Sequence, residues 1–136
     1  MTTAWSHLPN ARHIDRILAD VNANPDNWDR AGDAALVAAS DRAWDRAWDA
    51  TLVRVSAAAL DAASHTAWLA VYSAASPATR STIAALIAWP ESAEYLDLSV
   101  DSLRVLAELG DHKAVLILPA AIAFELQREF NLLESA

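Results

Sequence analysis

Residues 28–75, written in fours from Trp28, read WDRA GDAA LVAA SDRA WDRA WDAT LVRV SAAA LDAA SHTA WLAV YSAA. The first place is mostly large or apolar, the second is often Asp, and the fourth is mostly Ala. A four-residue repeat on a 3.6-residue helix advances about 40° per repeat. The row Trp44, Trp48, Leu52 therefore keeps roughly to one face, whereas the full run of quartets would wind more than once round the helix. Either the tract is one helix of about 70 Å surrounded by others, or it breaks into shorter ones. A compact domain favours breaks, and Gly32, Ser40-Asp41 and residues 61–65 are the candidate points, with Ser64 as a new N-cap. None is a strong breaker, so at least one long Ala-rich helix is expected, roughly 41–62.

Outward from this tract, residues 1–9 read as a loosely held arm with Trp5 as its anchor. A first helix starts after Pro9 with Asn10 as N-cap. Ile14, Ile17, Leu18 and Val21 give it one apolar face, and Pro25 ends it. Asp26 is the expected cap of the next helix. Ser76-Pro77 opens another, since proline suits the first helical position. That helix uses Ile83, Leu86 and Ile87, with Tyr95 beyond, and Pro90 should kink or split it. Ser99 caps a short helix with Val100, Leu103, Leu106 and Leu109 on its buried side, and Gly110 is placed as its C′ residue. Asp111 caps the last helix. Residues 114–124, AVLILPAAIAF, are apolar all round and must be surrounded by protein, with Pro119 as a kink or fresh start. The polar end, from Glu125, reads as more exposed. The expected fold is all-α, a compact bundle of about six or seven helices with the C-terminal helix as its hub. It forms one domain, 1–136, comprising the arm 1–9, quartet helices 28–75 and a C-terminal helical block 78–130.

Composition narrows the partners. The chain has 136 residues, only two Gly, five Pro and no Cys. Few breakers favour helix, and without Cys there is neither a disulfide nor a thiolate metal site. The formal net charge is −8, which argues against direct binding of nucleic acid or an anionic membrane. No signal peptide is evident at the N-terminus, and the longest apolar run is too short to span a bilayer. A cytoplasmic location, the host cytoplasm if the chain is viral, is the expectation.

The Ala-Trp-Asp-x repeat at residues 43–49 resembles Ala-rich helical proteins encoded by bacteriophages and some bacteria. So do residues 84–89 (AALIAW), 96–107 (LDLSVDSLRVLA), 109–111 (LGD) and 114–124. The likeness covers residues 28–126, and those proteins often carry Tyr-Asp-Asp where this chain has Trp89-Pro90-Glu91. The group has no known activity, so the resemblance implies a viral context and supplies no catalytic residues.

Chemical motifs are sparse. Asp61 with His65 and Glu108 with His112 have the one-turn spacing of a metal or proton-sharing pair. No Glu-x-x-His signature converges on them, and Gly110 should place Glu108 and His112 on different helices. There is no Gly-x-Ser-x-Gly and no phosphate loop. No catalytic residue, metal ligand or cofactor is assigned. The sharpest charged feature is Asp41, Asp45 and Asp49, one turn apart, with Arg42 and Arg46 able to pair with Asp45 and Asp49 at i, i+3. It reads as an ion-paired solvent face or as a docking stripe for a basic partner. Trp44 and Trp48 stack on the same helix, either as core or as interface. The candidate interaction residues are thus Asp41, Arg42, Trp44, Asp45, Arg46, Trp48 and Asp49. The expected function is a non-enzymatic acidic protein–protein interaction module, possible in phage as an inhibitor or modulator of a host or defence protein. Its partner would be a basic or nucleic-acid-binding protein. The alternatives are a self-assembling structural homo-oligomer and a small helical enzyme or metal protein.

Overall fold

The computed structural model describes residues 4–56 and 61–135. Among these there are seven α-helices and one 3-10 helix, and no strand. They are α1 Ala11–Ala23, α2 Pro25–Ala38, α3 Asp41–Arg54, α4 Ala62–Ala74, α5 Pro77–Ala88, the 3-10 helix Pro90–Asp97, α6 Val100–Glu108 and α7 His112–Ser135. The fold is all-helical, as expected. The expected long helix over 41–62 is not formed: α3 has 14 residues and ends at Arg54, and the longest helix is α7, with 24.

α7 is the axis of the bundle. It packs against α2, α3, α5, α6 and the 3-10 helix, while α4 lies on α5, and α1 on α2 and α5. Every residue from Ala114 to Ala121 is buried, which accounts for a segment apolar on all sides. α7 runs on through Pro119 without a fresh start. Pro119 lacks the N–H that would bond the carbonyl of residue 115. In the same turn the Thr82 hydroxyl of α5 donates to the Leu116 carbonyl at 3.0 Å.

The quartets fold as three helices, α2, α3 and α4, of 14, 14 and 13 residues. Over that length the drift reaches only roughly 120–140°. The breaks between helices then restore the phase. Fourth-place residues Ala31, Ala35, Ala47, Thr51, Val55, Ala67, Val71 and Ala75 are all buried. Second-place residues Asp29, Asp33, Asp41, Asp45, Asp49 and Asp61 are all exposed. Small residues on the inner row let the helices lie close, and the carboxylates on the outer row stay hydrated.

Local chemistry sets most boundaries. At Ala39 and Ser40 the backbone is extended, and the Ser40 hydroxyl accepts from Ala43 N at 3.1 Å, starting α3. α4 is capped by Asp61, whose Oδ1 accepts from Ser64 N at 2.7 Å, so Ser64 is the residue capped and not the cap. Likewise α2 begins at Pro25 with Asn24 before it, and Asp26 lies inside the first turn. Ser99 caps α6 by accepting from Ser102 N at 3.1 Å. α6 closes with Gly110 at φ 89°. There Gly110 N donates to Ala107 O and Asp111 N to Leu106 O, the paired bonds of a Schellman end. Leu109 precedes that turn and is 78% exposed, not on the buried side; Leu103 and Ala107 fill the core face instead.

The end of α5 is closed from a distance. In a continuing helix residue 90 would donate to Leu86 O, but Pro90 has no N–H. Asn10 Nδ2 takes that role, donating to Leu86 O at 2.8 Å and to Pro90 O at 2.9 Å. Asn10 occupies the N-cap position of α1, yet its side chain makes no cap hydrogen bond. Ser92 Oγ donates to Ala85 O at 2.9 Å, and Arg54 Nε to Ala88 O at 2.7 Å. Arg54 also stacks on Trp89, its guanidinium 5.0 Å from the ring centroid. Elsewhere fully buried Trp28 is fixed by its indole N–H to Asp20 Oδ2 at 2.7 Å and by Phe124, edge-on at 6.0 Å.

Candidate functional site

α3 carries all seven candidate residues, and the structure sorts them onto three sides. Successive residues are about 100° apart, so the Asp row and the Arg row that follows it diverge. Asp41, Asp45, Asp49, Arg42 and Arg46 are exposed, and Trp44 and Trp48 are half-buried. The i, i+3 pairs of Arg42 with Asp45 and Arg46 with Asp49 are not made. Among the described residues the one ion pair is Lys113–Glu91, at 3.6 Å.

The two tryptophans tie α3 to its neighbours. Trp44 donates its indole N–H to Ala35 O at 3.2 Å, bridging to α2. Trp48 meets Tyr72 of α4 with ring centroids 6.4 Å apart, and Tyr72 meets Trp68 at 5.1 Å. The Arg80 guanidinium lies 4.7 Å from the Tyr72 centroid. Both rings therefore have intramolecular packing partners, while keeping part of their surface open.

Between α2 and α3 runs a groove of about 530 Å³, lined by Asp29, Gly32, Asp33, Leu36 and Trp44, with Ser81 and Pro119 at its floor. Asp29 and Asp33 are one turn apart, exposed and without an ion-pair partner among the described residues. Leu36 is 57% exposed beside them. Asp29, Asp33 and Leu36 were not among the candidates. The signal that marks the two carboxylates in the sequence is their second place in the quartets, the same place as Asp41, Asp45 and Asp49.

The Arg side of α3 faces a different cleft, of about 550 Å³, between α3, the end of α2 and the α6–α7 corner. Arg42 and Arg46 line it together with Glu108, His112, Val37 and Val115. Glu108 and His112 thus sit on separate helices, as the glycine between them suggested, but on one wall.

Three titratable groups elsewhere, His65, Asp61 and Tyr95, have structural partners. His65 Nδ1 is 3.1 Å from Val55 O. Asp61 is held below the ordinary carboxylate range, chiefly by the backbone N–H of Ser64. Tyr95 donates to Asp111 Oδ2 at 2.5 Å. Burial first, and then that hydrogen bond, push its phenol from 10.0 to about 12. Asp111 Oδ1 meanwhile accepts from Lys113 N at 3.0 Å, capping α7. No three His, Cys, Asp or Glu side chains converge in a metal-holding arrangement among the described residues. No helix among them is long and apolar enough to cross a membrane. In comparison with known proteins, no family matches the chain, and no curated protein or solved structure is significantly similar to it.

Proposed function

We propose that the chain is a non-enzymatic interaction module that docks a basic segment of another protein on the α2–α3 face. The observation carrying this reading is the outer row of five aspartates, Asp29, Asp33, Asp41, Asp45 and Asp49, all exposed and none in an ion pair among the described residues. Carboxylates compensated within the chain would have little left to offer a partner; these keep their field. The groove between the helices adds an apolar contact at Leu36 and an aromatic face at Trp44. A Lys or Arg with its aliphatic stem fits that combination, because the stem covers apolar surface while the charge meets a carboxylate or a ring face. Modulation of a host or defence protein is the form of this function that the resemblance to phage-encoded chains suggests.

The test is affinity purification from a bacterial lysate with the wild type and with D29N/D33N/D45N/D49N, both checked for unchanged circular dichroism. Basic proteins retained by the wild type and lost by the Asn variant, with retention falling as salt rises, are the expected result. The same retained set on both proteins defeats the proposal.

A further inference from the structure

The Arg flank of α3 points to something the acidic face does not explain. The chain has ten Lys and Arg against eighteen Asp and Glu. Yet two of its Arg converge one turn apart on a cleft of about 550 Å³, within the usual size of small-molecule sites. Neither has a carboxylate at ion-pair distance among the described residues, although three Asp are interleaved with them on the same helix. His112, at the start of α7, lines the same cleft, so nitrogen-bearing side chains border it from both α3 and α7. Val115 forms an apolar back, and Val37, 87% exposed, an apolar lip.

We infer that this cleft binds a small phosphate monoester with a short apolar body, its phosphate between Arg42, Arg46 and His112. Two guanidiniums and an imidazole offer more donors than the two oxygens of a carboxylate use, and they suit the three terminal oxygens of a phosphate. The apolar body rests on Val115 under Val37. A nucleic acid is disfavoured by the chain's formal net charge of −8. Glu108, on the same wall, opposes the ligand's charge and sets an upper limit on its affinity. This site lies on the other flank of α3 from the proposed protein-docking face and does not depend on it.

The geometry yields two responses of opposite sign. In a two-dimensional amide NMR titration with phenyl phosphate, saturable shifts are expected at Arg42, Arg46 and His112. R42Q/R46Q should weaken binding by about tenfold or more, and E108Q should tighten it by about twofold or more. All three residues changed are exposed, so neither variant disturbs the core, and R12Q, on α1, serves as the charge control with no expected effect. Inorganic phosphate should shift the same amides at higher concentration, and benzyl alcohol should not. Absent or scattered shifts, an affinity unmoved by R42Q/R46Q, weakening by E108Q, or equal binding of benzyl alcohol would each overturn the inference.

Discussion

Asn10→Ala should be among the most damaging polar substitutions in this chain, although the residue sits at the start of a helix where a mild cap effect would be the ordinary expectation. Its side chain makes no cap bond, is 94% shielded (6% exposed), and gives both amide hydrogens to carbonyls some eighty residues away. Pro90 has no N–H to give Leu86 O its helical donor, and Asn10 supplies one in its place. Truncation leaves the buried Leu86 acceptor unpaired, at about 1–3 kcal/mol, and costs about 1 kcal/mol more at the part-buried Pro90 carbonyl, so the loss should be roughly 2–4 kcal/mol. At about 4 °C per kcal/mol for a chain of this size, the melting temperature should fall by roughly 8–16 °C. Asn10→Asp, of equal volume, should lose at least as much, because it turns carboxylate oxygens toward carbonyl oxygens. The assay is urea unfolding followed by circular dichroism, with the slope checked for constancy so that the midpoint reports stability. A loss within about 0.5 kcal/mol of zero, the range of ordinary surface substitutions, would refute the reasoning and mean that water reaches those carbonyls.

Three further outcomes follow from local geometry. Ser99→Ala removes the cap on Ser102 N and should cost about 1 kcal/mol by the same unfolding assay, with Ser99→Asp close to neutral. Gly110→Ala meets no heavy atom within 4 Å, so it should cost only the backbone penalty of a positive φ, about 1–2 kcal/mol, and Gly110→Asn less. Tyr95 has its phenol raised from 10.0 to about 12 in the folded chain. The unfolded chain therefore loses that proton first, so the stability Tyr95 contributes is complete below pH 10 and is lost as pH rises toward 12. Unfolding measured across that window should be steeper in pH for the wild type than for Tyr95→Phe; equal slopes would remove the case for the Asp111 bond.

What could be read in the sequence divides by distance along the chain. Pro77, Pro90, Ser99, Gly110 and Asp111 act on backbone within a few residues, and each does its expected work in the structure, whereas Ser76 holds the N-cap position of α5 without a side-chain cap bond. Ser64 and Asp26 stand only two or three positions from the residues that start α4 and α2, because Asp61 and the Asn24-Pro25 pair are equally good starts. Asn10, Arg54 and Thr82 were illegible in their real roles, since each donates to a carbonyl more than thirty residues away. The same holds for the candidate surfaces. The Asp row is visible in the repeat, but its separation from Arg42 and Arg46 depends on α2 lying on one flank of α3 and the α6–α7 corner on the other.

The quartets remain the part of the chain where a short-range rule has a long-range consequence. A four-residue period cannot hold one face along a continuous helix, because the row leaves a core-facing arc of roughly 100° within three or four repeats. Breaking near Ser40 and after Arg54 makes the period usable: α2 and α3 end before their fourth-place row has turned to solvent, and in α4 the row is exposed only at its start, Ala63, and buried from Ala67 on. The chain thereby keeps an inner row of small residues and an outer row of aspartates across three helices with one repeated unit. This phase argument makes a paired prediction inside a single turn. Ala47 is fourth-place and fully buried, and Asp45 is second-place and exposed. Asp45→Ala should change stability by no more than about 0.5 kcal/mol, whereas Ala47→Asp, which forces a carboxylate against the core, should cost more than about 4 kcal/mol or prevent folding. Far-ultraviolet circular dichroism and urea midpoints on the two variants read the contrast directly. Comparable losses from both would mean that the rows are not held in phase, and the separation of acidic and basic flanks on α3 would lose its structural basis.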